Sequence, residues 1–130
     1  MEEIEGADNR LKEKYVAPIR DRFVDYAKLI EDTLGEKVHM DSSYRISFER
    51  EGMLRSYEHL SSGILSICSL CFRLALFDNM FNEEKPFVIM DDPFVSLDET
   101  RFNKTKELIK KLSKDKQIIY FSCHPSRDLA

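Results

Sequence analysis

The chain has 130 residues, a length for one domain rather than two, and its 42% hydrophobic and 34% charged residues form an ordinary globular balance that excludes a disordered chain. Twenty Lys and Arg stand against 24 Asp and Glu, and the net charge of −4 excludes a surface that is one continuous nucleic-acid or anionic-membrane patch, though a local patch remains open. No apolar run reaches ~18 residues, the acidic start Met1-Glu2-Glu3-Ile4-Glu5 lacks the apolar stretch of a signal peptide, and Cys68 and Cys71 sit in an apolar stretch, so the expectation is no membrane span and a reducing, cytoplasmic location.

The first 34 residues have helical periodicity. Ile19, Phe23, Tyr26, Ile30 and Leu34 recur as one stripe, and Ile4, Leu11 and Tyr15 continue it upstream. Pro18 predicts a kink or break near Ala17, and Gly35 is the expected C-terminal cap. The stripe fits either an amphipathic helix on a core or the end of a coiled coil. From Lys37 to Tyr57 the period becomes two. Tyr44, Ile46 and Phe48 alternate with Arg45, Ser47 and Glu49 as a half-buried strand, and Glu51-Gly52 is a turn signal before a returning strand at residues 53–57.

Ser61 and Ser62 are good caps for a long helix over residues 63–81, apolar nearly all round and therefore expected to be largely buried. Phe72, Leu76 and Phe77 are core candidates, and Arg73 is expected to need a buried acceptor. Phe87-Val88-Ile89-Met90 and Gln117-Ile118-Ile119-Tyr120-Phe121 are continuous apolar runs on either side of an amphipathic helix over residues 99–113. Two such runs around a helix make a parallel βαβ unit, whose ligands lie beyond the carboxyl ends of the strands. Asp91, Asp92 and His124 stand at those ends.

Crowding two carboxylates behind an apolar strand is costly unless a cation or proton transfer compensates them, although a turn cap before Pro93 is the plainer reading. Ser61-Ser62-Gly63 opens a helix where hydroxyls and free N–H groups favour an anion, although an ordinary cap is again simpler. His124 is placed to meet a phosphate oxygen or an attacking water, or is a turn residue.

The order of these pieces is more specific than any one of them. Leu60-Ser61-Ser62-Gly63, then Phe87 to Pro93, then Ser96-Leu97-Asp98, then Tyr120 to His124 resembles the signature motif, Walker B, D-loop and H-loop of the C-terminal half of an ABC-type ATPase head. Asp-Asp-Pro-Phe-Val-Ser-Leu-Asp is most similar to the SMC-like and RecN-like branch, whose heads cap coiled coils and serve DNA repair and chromosome maintenance. The resemblance spans about residues 44–127. It implies an α/β fold, a partial P-loop NTPase lobe with a parallel βαβ unit, preceded by a coiled-coil root over residues 1–35 and a small antiparallel element. It also implies ATP and Mg²⁺ as cofactors: Asp91 as the Mg²⁺-side acid, Asp92 orienting the attacking water, His124 sensing the γ-phosphate, and Ser61, Ser62 and Gly63 reaching ATP held by another protomer. Asp98 would act across the head–head interface, DNA is a possible partner, and no membrane is involved.

Three departures stand out. Asp92 replaces the family's usual Glu, and Ile64 replaces the signature Gln. A P-loop needs Gly-x-x-x-x-Gly-Lys-Ser/Thr, yet none of Gly6, Gly35, Gly52 and Gly63 precedes a lysine. The expectation is a C-terminal lobe that requires a Walker A-bearing lobe, of the same or a partner chain, and shows negligible turnover alone. A non-catalytic docking module that kept the fold is the alternative, and a metal-dependent phosphoesterase using Asp91, Asp92 and Asp98 is a third. Cys68-Ser-Leu-Cys71 reads as buried small hydrophobes rather than a metal or redox pair. Lys104, Lys106, Lys110, Lys111, Lys114 and Lys116 read first as a solvated face, with nucleic-acid contact as the sharper option. His39 and His59 have no evident partner in the sequence.

Overall fold

The computed structural model describes residues 2–35 and 38–129. Glu36 and Lys37, where a domain boundary and the alternating segment were expected to begin, lie outside the described residues. Among the described residues four α-helices and five strands run in the order α1 (Glu2–Leu11), α2 (Ala17–Ile30), β1 (Val38–Met40), β2 (Ile46–Arg50), β3 (Met53–Ser56), α3 (Ser62–Met80), β4 (Val88–Asp91), α4 (Glu99–Leu112) and β5 (Ile118–Phe121).

Pro18 leaves its mark upstream of itself. It cannot continue an ordinary i→i−4 ladder, because its ring clashes with the carbonyl four residues back. The chain answers with a π-helical turn at Lys12–Val16, closed by the Ala17 N–H donating to the Lys12 carbonyl, and Pro18 then sits in the first turn of α2, where its missing N–H costs nothing. The helix bulges rather than breaks. α2 ends at Ile30, with Glu31 extended, so Gly35 is not its cap but the last residue of a separate 3-10 turn.

α2 buries Ile19, Phe23, Tyr26, Ala27 and Ile30, the expected stripe, whereas α1 buries nothing and leaves Ile4 and Leu11 exposed. α2, α3 and α4 share one core with the β1–β3 sheet, centred on Phe23, Ile30, Ile67, Leu74 and Phe94. That sheet is antiparallel in the order β1-β2-β3, with Ile46 and Phe48 inward. Glu51 and Gly52 turn the β2–β3 hairpin with φ of 53° and 74°, a type I′ geometry matched to strand twist. Tyr44 does not extend the inward stripe of β2: it sits ahead of the strand at φ 59° and is exposed.

β4 and β5 pair in parallel around α4, the expected βαβ unit, and Val88 faces Ile118 while Asp91 faces Phe121. The pair has no further strand among the described residues, and Phe87, Ile89 and Phe121 are exposed. α3 departs from expectation in the same way. It packs Gly63, Ile67, Cys68, Cys71, Leu74 and Ala75 inward but leaves its other side open, including Arg73, which is exposed and needs no buried acceptor. Phe72, Leu76 and Phe77 are half-buried at its margin. By length and composition α3 could cross a membrane, but its inward side packs on α2 and a charged network grips its end.

That network centres on Asp78. Its carboxylate accepts from the Tyr26 hydroxyl of α2 and the Lys116 ammonium just before β5, with the Arg22 guanidinium 3.7 Å away. The Lys116 and Asp78 side chains are only 10% and 16% exposed. Lys116 also lies over the Phe77 ring, and burial with the adjacent Asp78 pushes the Tyr26 phenol up from its ordinary range.

Candidate functional site

Parallel pairing carries two chain segments to one edge. β4 and β5 end together at the Asp91–Phe121 pair, and the next backbone N–H, that of Asp92, donates to the Phe121 carbonyl at 2.8 Å. Asp92 therefore lies against the strand end from which the chain proceeds three residues to His124. Its backbone is left-handed, φ 44°, a region Asp and Asn tolerate far better than longer side chains. Asp92 Oδ1 is buried with no hydrogen-bond partner among the described residues. Leaving a buried carboxylate oxygen orphaned costs about 1–3 kcal/mol or more. Asp91, beside it, is exposed. An orphaned oxygen next to an open carboxylate is a donor set that suits a hard divalent cation such as Mg²⁺, which takes one or two protein carboxylates and fills its shell with water and phosphate. Among the described residues no group of three metal-ligating side chains forms here, so Asp91 would supply only part of such a shell and the Asp92 oxygen is left for a water in it.

His124 is exposed and precedes a 3-10 turn, Pro125–Arg127. The Ser122 hydroxyl fastens it by donating to the His124 carbonyl at 3.0 Å and facing the His124 N–H at 3.3 Å. Tyr120 steadies the turn from within the strand: its hydroxyl donates to the Arg127 carbonyl at 2.8 Å, and its ring stacks on buried Phe94 at 5.5 Å.

The serine-rich helix start lies beside a different segment, the turn over residues 93–98. Ser61 is the N-cap of α3, its Oγ accepting from the Ile64 N–H at 3.4 Å, and both Ser61 and Ser62 are exposed. Gly63 has a close neighbour within the chain itself. It is buried, and a Cβ there would lie 3.1 Å from the Ser96 carbonyl oxygen. The close approach this glycine permits is to the chain's own 93–98 turn. Gly63→Ala should destabilise the chain by about 1 kcal/mol, the helix-propensity gain being outweighed by the push on a backbone carbonyl. A lower urea midpoint at unchanged m-value would report it.

In the 93–98 turn Phe94 and Leu97 point into the core, while Val95, Ser96 and Asp98 are exposed. Asp98 caps α4: Oδ1 accepts from the Arg101 N–H at 2.9 Å, and Oδ2 pairs with the Arg101 guanidinium at 2.7 Å. These bonds hold its carboxyl below the usual range. The sequence reading did not anticipate Arg101. Its spacing of three from Asp98 was visible, but its second partner, Glu31, is 70 positions away.

Cys68 and Cys71 are buried side by side, and burial pushes the Cys68 thiol up to about 12 and Cys71 higher still. Thiols so poor in thiolate are inert. Iodoacetamide should alkylate exposed Cys123 within minutes and reach the other two only as the chain unfolds, a pattern that mass spectrometry over time would read directly. The lysine run is only partly a solvated face: Lys116 is drawn to Asp78 and Lys106 donates to the Asp128 carbonyl, while Lys104, Lys110, Lys111 and Lys114 are exposed. His39 has a partner, Glu49, at 3.6 Å. Between the open side of α3 and β4 runs a groove of ≈ 490 Å³, lined by Leu65, Leu70, Arg73, Ile89 and Asp91 among others.

No protein-family model matches the chain. The DNA double-strand break repair Rad50 ATPase of Methanocaldococcus jannaschii is 26% identical over 119 residues, which make up 92% of this chain and 12% of that protein. The chain thus spans about an eighth of the length of that curated relative. A solved structure from work on ATP-driven dimerization and DNA-stimulated activation of SMC ATPases superposes with a TM-score of 0.71 at 18% identity, covering 92% of this chain and 75% of that one. The Smc head domain of Pyrococcus yayanosii, with its coiled coil and joint, gives 0.69 at 18% identity over 97% of this chain and 25% of its own. These similarities do not single out the RecN-like branch. Through its helix, small antiparallel sheet and parallel βαβ unit the chain has the fold of the SMC head domains, and in sequence it is similar to the stretch of the Rad50 ATPase that it matches.

Proposed function

We propose that this chain is the signature- and Walker B-bearing lobe of an SMC/Rad50-like head that hydrolyses ATP between two heads, in DNA repair or chromosome maintenance. Residues 1–35 form the root of the coiled coil and residues 36–130 the lobe. The observation that carries the reading is Asp92: a left-handed backbone, a buried orphaned oxygen and an exposed acidic neighbour, all fastened to the end of β5 just before His124. Natural chains tolerate such strain and desolvation chiefly where chemistry needs them.

In this reading Asp91 would hold Mg²⁺ on the outer side. Asp92 would accept a hydrogen bond from the attacking water and orient it, and His124 would donate to the γ-phosphate. The bound metal would supply charge neutralisation at the phosphates. Ser61 and Ser62, exposed at the start of α3, would face ATP held by the opposing head, with Gly63 seating that helix end on the 93–98 turn and Asp98 lying at the same interface. The open face of α3 and the edges of β4 and β5, which no further strand among the described residues covers, suit a second lobe carrying the P-loop. The ATP-driven dimerization of the SMC ATPases that share this fold supports the head–head arrangement.

The test is reconstitution. Combined with a Walker A-bearing lobe, in cis or by co-expression, the chain should dimerise on adding Mg-ATP and turn it over, whereas alone it should do neither. A complex that forms but neither dimerises nor hydrolyses would favour the docking-module reading, which the groove between α3 and β4 also suits. The phosphoesterase reading is weakened because Asp98 is committed to Arg101 and the α4 cap.

A further inference from the structure

The 93–98 turn is held from three directions. Gly63 abuts the Ser96 carbonyl from the start of α3. The Arg127 guanidinium, from the turn after His124, donates to the Leu97 carbonyl at 2.6 Å. The third hold reaches furthest along the chain. Arg101 donates through Nε to Glu31 Oε2 at 2.9 Å, and its Nη2 lies 2.9 Å from the same oxygen, while Nη1 donates to Asp98 Oδ2 at 2.7 Å. Glu31 is the residue that closes α2, its N–H still bonded to the Ala27 carbonyl, and Thr33 occupies its other oxygen at 3.1 Å. One planar cation thus joins the C-cap residue of one helix to the N-cap residue of another, with its fork geometry fixing both carboxylates.

We propose that Arg101 is a positioning residue, the tether by which a displacement of the α1–α2 helix reaches Asp98 and the 93–98 turn. Its link to nucleotide chemistry rests on the head reading above; the tether itself does not. α2 is anchored by side chains locked in the core, while the turn carries Val95, Ser96 and Asp98 in solvent between its buried Phe94 and Leu97. Moving the end of α2 must either drag the guanidinium and Asp98 with it or break two charge-assisted bonds.

Amide hydrogen exchange on the ¹⁵N-labelled 130-residue chain tests this without ATP or a second lobe. Glu31→Gln keeps the side chain's size and removes its charge. The Leu97 N–H, bonded to Phe94, and the Arg101 N–H, bonded to Asp98, should then exchange faster by about fivefold, with the β2–β3 hairpin amides unchanged. Arg101→Lys should show the same loss, since an ammonium cannot serve both carboxylates in the plane of a guanidinium. Wild-type rates at Leu97 and Arg101 in Glu31→Gln would overturn the proposal and leave Arg101 as a local partner of Asp98. Equal acceleration in the hairpin would overturn it too, by making Glu31 a general stabilising group. A failed reconstitution with an intact tether would count against the head reading alone.

Discussion

Asp92→Asn should lower ATP turnover by a completed head by roughly 10²–10⁴-fold, the range for a positioned proton acceptor, and leave ATP-driven dimerisation in place. The substitution isolates charge. Asparagine has nearly the same shape and tolerates φ 44°, so the backbone bond to Phe121 persists. The orphaned Oδ1 loses its formal charge, which removes a desolvation cost, so the isolated chain should be no less stable than wild type. Steady-state turnover and a urea titration together make the check. A turnover loss with matching destabilisation would demote Asp92 to a structural acid, and unchanged turnover would remove it from the chemistry altogether. The same backbone conformation gives a reason for the short acid where the resemblance leads one to expect Glu: the left-handed region favours Asp.

Asp78→Ala should be the most damaging substitution of a charged residue, costing about 3–5 kcal/mol. The reason lies in what it strands. The Lys116 ammonium, 10% exposed, loses its carboxylate, and the Tyr26 hydroxyl loses its acceptor. A chain of this length has roughly 5–15 kcal/mol in total, so the variant should sit near the edge of folding at 37 °C. Replacing Asp78 with leucine and Lys116 with methionine together should recover the share of the loss that comes from the stranded ammonium, because neither charge is then left behind, while the Tyr26 hydroxyl still lacks its acceptor. Denaturant midpoints of the single and double variants decide the matter. A cost under 1 kcal/mol for Asp78→Ala would mean that water screens the network.

Much of the architecture was legible because hydrophobic spacing is local. The stripe through Phe23, Tyr26 and Ile30, the alternation of Ile46 and Phe48, and the apolar runs of β4 and β5 each report their own element. The two strands around α4 also placed Asp91, Asp92 and His124 at one edge, since parallel pairing leaves few alternatives. What escaped was set by distant partners or by their absence. Apolar composition could not say that α3 and the β4–β5 pair are covered on one side only, so Arg73 was read as buried. Nothing near Gly63 in sequence points to the Ser96 carbonyl that abuts it, and nothing near Arg101 points to Glu31.

The π-helical turn at Lys12–Val16 amounts to one surplus residue in an otherwise continuous rod. An α-helix advances ~100° per residue, so that single insertion sets the azimuth of everything upstream relative to α2. Removing one residue from the bulge would swing Ile4 and Leu11 about a quarter-turn around the axis. Any helix wound alongside them takes its phase from this one residue, and through it from Pro18.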